Sequence, residues 1–174
     1  MSKYDNIELE KITAIKLHIE DNSKQMDEIV RSIISEYVTD LDNYVEHIDE
    51  RLCEKENPPT DIELEDFCLN LSTLIYFASG MCEQLGIRDD IAKAVYKETY
   101  NNARDGLSKG TVQDKNSLAE LSAQQEQLIS ICYTRAYKIV KAKVDNAQEL
   151  LSSCKKAISR RMQETELTKM MGGK

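Results

Sequence analysis

Pro58 and Pro59 are the only prolines in 174 residues, and glycine occurs only six times. Proline interrupts helix interiors, and β-rich chains need many Gly, Pro and Asn turns, so this distribution predicts long uninterrupted helices. Hydrophobic residues make up 41% of the chain and charged residues 31%. That balance is typical of a folded domain and not of a disordered or membrane-embedded chain. The sequence therefore predicts an all-α protein of long amphipathic helices packed in a helical bundle.

The segment before the prolines, residues 1–56, reads as an acidic N-terminal helical arm. A capping-box pattern at Asn22 and Gln25 precedes one apolar stripe with steps of three or four residues. The stripe consists of Met26, Val30, Ile33, Tyr37, Leu41, Tyr44, Ile48 and Leu52. Apolar and polar residues alternate around Leu17, which leaves a short extended piece open there, although helix is favoured. The prolines end the arm, and Thr60 or Asp61 can cap the helix that follows.

Residues 60–106 are predicted to form a central helical hairpin. Its first helix begins near Asp61 and ends at Gly86, which is read as a left-handed C′ glycine. Asp89 is read as the cap of the second helix, which runs to about Arg104.

Residues 112–165 are predicted to form one long, basic C-terminal helix, followed by a disordered tail at 166–174. Apolar residues along this helix make a heptad-like seam with a stutter. The seam consists of Ile129, Cys132, Ala136, Val140, Val144, Ala147, Leu151, Cys154 and Ile158. Because so long a stripe exceeds what short helices can cover, we expect a homo-oligomer that assembles through the C-terminal helix.

Charge is distributed unevenly along the chain. Residues 1–66 hold 19 acidic and 7 basic side chains, 67–120 hold 7 and 6, and 121–174 hold 5 and 10. This split indicates either that one end meets a polyanion or an acidic partner, or that the acidic half packs on the basic helix of the same chain or a neighbour. The sequence leaves both alternatives open.

Cations interleaved with tyrosines suit single-stranded DNA, since phosphates take the charge and bases stack on the rings. Tyr133 and Tyr137 lie among the cations of the last helix, and Tyr96 and Tyr100 lie beside a smaller basic row. The candidate DNA-binding residues are Lys93, Lys97, Arg104, Lys109, Arg135, Lys138, Lys141 and Lys143. The alternatives are that Tyr133 and Tyr137 belong to the core and that the smaller row serves solubility.

Residues that could carry catalysis or hold a metal are sparse. The five cysteines are scattered without a C-x-x-C pair and the two histidines lie apart from them, so we expect no disulfide or zinc site and read the cysteines as small core hydrophobes in a reducing compartment. Glu46, Asp49 and Glu50 share one helix face and are read as a solvated acidic surface, since His47 has the wrong offset for a bundle metal site. We expect a cytoplasmic protein that is not an enzyme, with no cofactor, no metal and no membrane span.

Two segments resemble the UvsY family of bacteriophage recombination mediators. The first runs from Leu71 to Gly106 and includes Leu-Ser-Thr-Leu-Ile-Tyr at 71–76 and Ala-Lys-Ala-Val-Tyr-Lys at 92–97. The second runs from Leu121 to Met162, with Tyr133, Tyr137, Ile139, Lys141, Lys143, Asp145, Leu150 and Arg160 in comparable order. The resemblance implies a helical oligomer that binds single-stranded DNA, with Lys93 and Lys97 as contacts. It also implies loading of a RecA-like recombinase onto DNA covered by single-strand binding protein.

The leading hypothesis is therefore an oligomeric single-stranded DNA-binding accessory protein of phage recombination. Its expected partners are further copies of the chain, single-stranded DNA, a recombinase and single-strand binding protein. The alternative is a non-DNA interaction protein, either a scaffold or adaptor or a phage inhibitor of a host defence enzyme. In that alternative the acidic face of residues 26–52 is the working surface and imitates a row of DNA phosphates.

Overall fold

The computed structural model describes residues 3–107 and 110–172, which are helical almost throughout. The four helices are α1 (Lys3–Cys53), α2 (Asp61–Asp105), α3 (Val112–Ser122) and α4 (Gln124–Gly172). No strand occurs within the described ranges, and the predicted all-α class is confirmed. Two compact units are formed, the first by Met1–Ile33 with Ala92–Ala136 and the second by Ile34–Ile91 with Tyr137–Lys174. Each unit therefore combines pieces of α1, α2 and α4, with α3 in the first.

The second unit is a three-helix bundle with a continuous apolar core. Its buried side chains recur every three or four residues, as one face of a helix requires. From α1 and α2 they are Tyr37, Val38, Leu41, Ile48, Leu64, Phe67, Cys68, Leu71, Ile75, Ala78, Cys82 and Leu85. From α4 they are Val140, Val144, Ala147 and Cys154. The buried residues of α2 in this unit thus lie on one face of the helix, which packs in the bundle.

The turn between α1 and α2 is held by a cap and by an arginine. Thr60 Oγ1 accepts a hydrogen bond from the Glu63 N–H, and the Glu63 carboxylate accepts one from the Thr60 N–H, which completes a capping box. Arg51 Nε donates to Glu63 at 3.0 Å, and its Nη1 donates to the Asn57 carbonyl at 2.7 Å. The predicted cap at the start of α2 is therefore Thr60.

The predicted hairpin at 60–106 is wrong, because α2 is one continuous helix through Gly86. A Cβ placed on Gly86 would lie 3.2 Å from Cε2 of Tyr137, so this glycine serves a close approach between α2 and α4. Asp89 does not cap a helix; it lies within α2 and is buried. In the same way, Asn22 lies inside α1 instead of capping it.

The first unit is assembled from α3 and parts of the three longer helices. Gly110 has a φ of +115°, a conformation that favours glycine, and Thr111 then caps α3 through a reciprocal bond with Asp114. The pKa of Asp114 is held below its usual range by the hydrogen bonds from the Thr111 hydroxyl and N–H. Among the side chains of this unit that the structure describes, the buried apolar ones are small: Val30, Ala92, Ala119, Ala123, Cys132 and Ala136.

The predicted continuous helix over 112–165 is interrupted once, at Ala123. Its φ of −104° and ψ of 13° separate α3 from α4, while its N–H still bonds to the carbonyls of Ala119 and Glu120. Ala119 and Ala123 are fully buried, so the helices pack tightly at this break. No proline or glycine lies at the break to predict it from the sequence. The prediction of a disordered tail at 166–174 is wrong as far as residue 172, because α4 continues to Gly172. Residues 173 and 174 lie outside the described residues.

All five cysteines are free thiols. Four are buried as predicted, at Cys68, Cys82, Cys132 and Cys154, whereas Cys53 at the end of α1 is exposed. Burial raises the pKa of the four enclosed thiols, which disfavours the reactive thiolate.

Within the part of the chain that the structure describes, none of the helices is both long enough and apolar enough to span a bilayer.

Candidate nucleic-acid interface

The last part of α2, in the first unit, presents cations and tyrosines on one side of the helix. We call this set the basic–tyrosine face: Lys93, Tyr96, Lys97, Tyr100 and Arg104. At 3.6 residues per turn these five positions fall within an arc of about 100°. Buried Ala92 fixes the orientation of the helix, and it leaves both lysines exposed and both tyrosines half-buried.

The two tyrosines of this face lie side by side. Their ring centroids are 6.4 Å apart and the ring planes are inclined by 48°. Because both residues are half-buried, part of the ring pair stays accessible, and an unpaired base can stack on an exposed aromatic ring. Neither Tyr96 nor Tyr100 is fully enclosed. The predicted alternative for this row, that its cations serve solubility, stays open.

Arg104 extends the basic–tyrosine face toward the end of α2. Within the described residues, its guanidinium makes long contacts, of 3.4 Å, with the neighbouring Asp105 carboxylate, an exposed pair of little strength. An open cleft of about 560 Å³ lies beside it and is also lined by Val112, Lys115 and Asn116. Sequence reasoning did not single out Lys115, which adds a cation to this end. Lys109, a predicted contact, lies outside the described residues.

The cations of α4 in the second unit divide into two groups. Lys138 and Lys141 are exposed, as binding to a phosphate would require. Lys143 is instead held by the Asp42 carboxylate, with contacts of 2.7 and 2.8 Å from its Nζ to the two oxygens. Lys143 is thus already engaged by a carboxylate, unlike a free surface cation, and its role as a DNA contact stays a prediction.

Arg161 has a structural role of the same kind. Its Nη1 donates to the Pro59 carbonyl at 2.7 Å and to Asp61 at 3.0 Å, so it fastens α4 to the turn before α2. Together with the Lys143–Asp42 pair, this contact gives the second unit the internal charge match that was one of the two sequence alternatives.

In the first unit, α4 contributes one exposed cation and an apolar groove. Arg135 is exposed, whereas Tyr133 is half-buried and lines the groove between α1 and α4. The groove has a volume of about 670 Å³, and its other walls are Asn22, Gln25, Met26, Ile29, Ile33, Gln124, Leu128, Ile129 and Cys132. Tyr133 therefore follows the core alternative more closely than the stacking one. In the second unit, Tyr137 packs on Gly86.

The predicted oligomer seam on α4 is largely covered by the chain itself. Six of its nine residues are buried without any second chain: Cys132, Ala136, Val140, Val144, Ala147 and Cys154. Leu151 and Ile158 are half-buried, and only Ile129 is well exposed. The prediction that this seam faces partner chains is thus wrong for the buried residues. The helices α1 and α2 are long enough to cover them.

The acidic residues of α1 remain at the surface in part. Glu46, Asp49 and Glu50 are exposed, as predicted for a solvated face, while Asp42 is engaged by Lys143. In residues 3–107 and 110–172, no group of three or more His, Cys, Asp or Glu side chains is arranged to hold a metal ion.

Sequence reasoning missed a second apolar face on α2, in the second unit. Its large residues are strongly exposed: Ile62, Leu69, Tyr76, Phe77 and Ile87. The signal was a seven-residue spacing from Ile62 to Leu69 to Tyr76, offset from the core face of the same helix. This spacing was overlooked because the core face of α2 by itself accounts for a helical pattern of apolar residues.

Comparison of the chain with models of protein families, with curated proteins and with solved structures finds no match in any of the three. The resemblance to UvsY-type mediators therefore stays a prediction from the sequence.

Proposed function

We propose that this protein binds single-stranded nucleic acid through the basic–tyrosine face of α2. The observation that carries the proposal is the joint exposure of Lys93 and Lys97 beside the adjacent rings of Tyr96 and Tyr100. Cations that follow a phosphate chain and rings that accept bases are the two components of sequence-tolerant single-strand binding.

The distribution of charge between the units supports the same surface. The first unit holds 12 acidic and 11 basic residues, whereas the second holds 19 and 12. The chain's net charge of −8 is thus carried almost wholly by the second unit. A polyanion approaching the first unit meets a nearly neutral surface with a local row of cations.

The wider role follows from the resemblance and rests on it alone. A UvsY-like protein is an oligomer that helps to load a RecA-like recombinase onto DNA coated by single-strand binding protein. We propose this accessory role in phage recombination for the present chain, with single-stranded DNA as the first ligand to test.

A fluorescence-anisotropy titration with labelled oligo-dT tests the binding surface. The affinity should fall with salt, with a slope near −2 on logarithmic axes if the three cations of the face each release one counterion. The variant Lys93→Gln/Lys97→Gln should bind about tenfold more weakly at low salt and reduce that slope by about 1.4. The control Lys155→Gln/Lys156→Gln removes the same charge from exposed positions of α4 and should bind as the parent does. Equal losses in both variants, or no binding at low salt, contradict the proposal.

Replacing a ring tests stacking separately from charge. Tyr100→Leu keeps the buried part of the side chain but removes the aromatic surface, so it should weaken oligo-dT binding by about 1–2 kcal/mol without changing the salt slope. An unchanged affinity would mean that the tyrosines serve packing only.

The second candidate is a protein-interaction role for the acidic surface of α1. The observation that favours it is the exposure of Glu46, Asp49 and Glu50 in the unit that carries the negative charge. Reversing these three to lysine should abolish binding to a basic partner and leave oligo-dT affinity equal or improved. Asp42 must stay intact in that experiment, since its removal would strand Lys143.

A further inference from the structure

The outer side of α2 in the second unit is an unpartnered apolar stripe. Leu69, Tyr76 and Ile87 are 68%, 76% and 61% exposed, and Phe77 packs edge-on against Tyr76 with centroids 5.5 Å apart. Single exposed apolar residues are ordinary, but a continuous row of large ones marks an interaction surface. Leu69, Tyr76 and Ile87 lie, together with Ile62 and Gly80, within about 40° of the helix circumference.

Gly80 lies in the middle of this stripe and has no role inside the chain. A Cβ placed there would meet nothing within 4 Å, whereas one placed on Gly86 would press on the Tyr137 ring. A glycine inside an exposed helix costs about 0.5–1 kcal/mol relative to alanine. Because no contact within the chain requires a glycine at this position, the close approach of another molecule explains Gly80.

The spacing of the stripe is symmetric about residue 78. Tyr76 and Gly80 each lie two residues from that point, and Leu69 and Ile87 each lie nine residues from it. Two antiparallel copies of α2 in this register therefore place each Tyr76 over the partner's Gly80 and each Leu69 beside the partner's Ile87. A two-fold contact requires such reciprocal pairing, in which one patch fits itself. We propose that a second copy of this chain covers the stripe in this antiparallel arrangement.

Charges on one flank of the stripe are complementary in this antiparallel register. On one flank the pairing brings Arg88 of one copy toward Asp66 and Asn70 of the other, and like flanks face each other in antiparallel helix pairs. Arg88 is positioned there by Glu36 at 3.7 Å and by the Tyr37 ring at 5.6 Å, and half of its side chain stays exposed. A parallel pair would instead set the Asp66 flank of one copy against the Glu65 flank of the other, which brings like charges together. The opposite flank carries Glu65, Glu83 and Asp90, and the antiparallel register sets Glu65 near the partner copy's Asp90, which weakens the pair. These carboxylates also argue against an anionic membrane as the occupant.

The area is sufficient for a weak dimer. The exposed parts of Leu69, Tyr76, Phe77 and Ile87 add up to about 500 Å² per chain, or about 1,000 Å² for the pair, the size at which weak specific interfaces begin. We therefore expect a reversible dimer that dissociates on dilution.

Sedimentation equilibrium over a wide range of concentrations measures the association directly. The parent should change from a mass of 19.9 kDa to twice that value. Tyr76→Glu should weaken the dimer at least 30-fold, since it buries a charge at the centre of the contact. Leu167→Glu is the control, because Leu167 is an equally exposed apolar residue of α4 outside the stripe, and it should dimerise as the parent does.

Gly80→Gln separates the interface from the fold. Gln is a better helix former than Gly and has open space here, so the dilute monomer should melt at a slightly higher temperature. The same side chain fills the space for the partner's Tyr76, so the dimer should weaken at least tenfold. A monomeric parent at all concentrations, or full dimerisation of Gly80→Gln, overturns the proposal.

Cysteine cross-linking tests the register. In a Cys53→Ser background, which removes the only exposed native thiol, Tyr76→Cys and Gly80→Cys are oxidised singly and mixed. The antiparallel pair predicts cross-links in the mixture and not in either variant alone, because residue 76 faces residue 80. Cross-linking of Tyr76→Cys with itself would indicate a parallel pair and overturn the register. Since the stripe lies in the second unit, these outcomes are independent of whether the basic–tyrosine face binds nucleic acid.

Discussion

The two units of the molecule are built from the same helices but have different interiors. The largest fully buried side chains all belong to the second unit: Val38, Ile48, Leu64, Leu71, Leu85 and Val140. Among the first unit's side chains that the structure describes, at residues 19–33, 92–107 and 110–136, the buried ones are mostly alanines, and an apolar groove of about 670 Å³ stays open beside them. Burial of large side chains supplies much of a domain's stability, so substitutions in the core of the second unit should cost more than those at the described buried positions of the first.

Truncating the core of the second unit should have the largest effect. Leu71 is completely buried in α2, so Leu71→Ala should lower the free energy of unfolding by about 3 kcal/mol through lost burial and the cavity left behind. Val30→Ala in the first unit should cost only about 1 kcal/mol. Urea denaturation followed by circular dichroism measures both. Equal costs would remove the contrast between the interiors.

Enlarging the core of the first unit should have the next largest effect. Ala119 is fully buried, so Ala119→Leu should cost about 2 kcal/mol by forcing the closely spaced helices apart. Ala157→Leu, at an exposed position of α4, provides the matched control and should change stability by less than about 0.5 kcal/mol. If Leu is tolerated at 119, the alanine core is loosely packed and the groove can rearrange.

A substitution at the turn before α3 should cost less. Gly110 adopts a φ of +115°, which a side chain disfavours, so Gly110→Ala should lower the free energy of unfolding by about 1 kcal/mol. Thermal denaturation measures the change. A neutral result would show that the turn before Thr111 accepts another conformation.

The smallest effect is expected from pH, at the exposed cap of α2. Hydrogen bonding from the Thr60 N–H and then from Arg51 lowers the pKa of Glu63 to about 2 from an ordinary value of 4.5. A carboxyl with a lowered folded-state pKa stabilises the fold above its ordinary pKa, and that contribution is lost as the pH falls from about 4.5 to about 2. The melting temperatures of the parent and Glu63→Gln should therefore differ at pH 6 and converge near pH 2. A constant difference would contradict the assigned cause.

Local signals were enough to predict much of the fold. The proline pair, the Thr60 cap and the three- and four-residue spacing of the second unit's core each act within one or two helical turns. Gly86 was misread because its role depends on Tyr137, 51 residues away. The Lys143–Asp42 ion pair could not be predicted because the two residues lie 101 positions apart. The candidate site follows the same rule: the row of Lys93, Lys97 and Arg104 is visible in sequence, whereas ion pairs between distant helices are not.

Hydrogen–deuterium exchange with and without oligo-dT tests most directly whether the first unit binds nucleic acid through α2. Protection on adding the oligonucleotide should be confined to peptides covering residues 92–105 and the neighbouring cleft around Lys115. Peptides from the core of the second unit should exchange slowly in both states. Protection confined to residues 138–161, or no change anywhere at low salt, would contradict the assignment of the binding surface to the basic–tyrosine face.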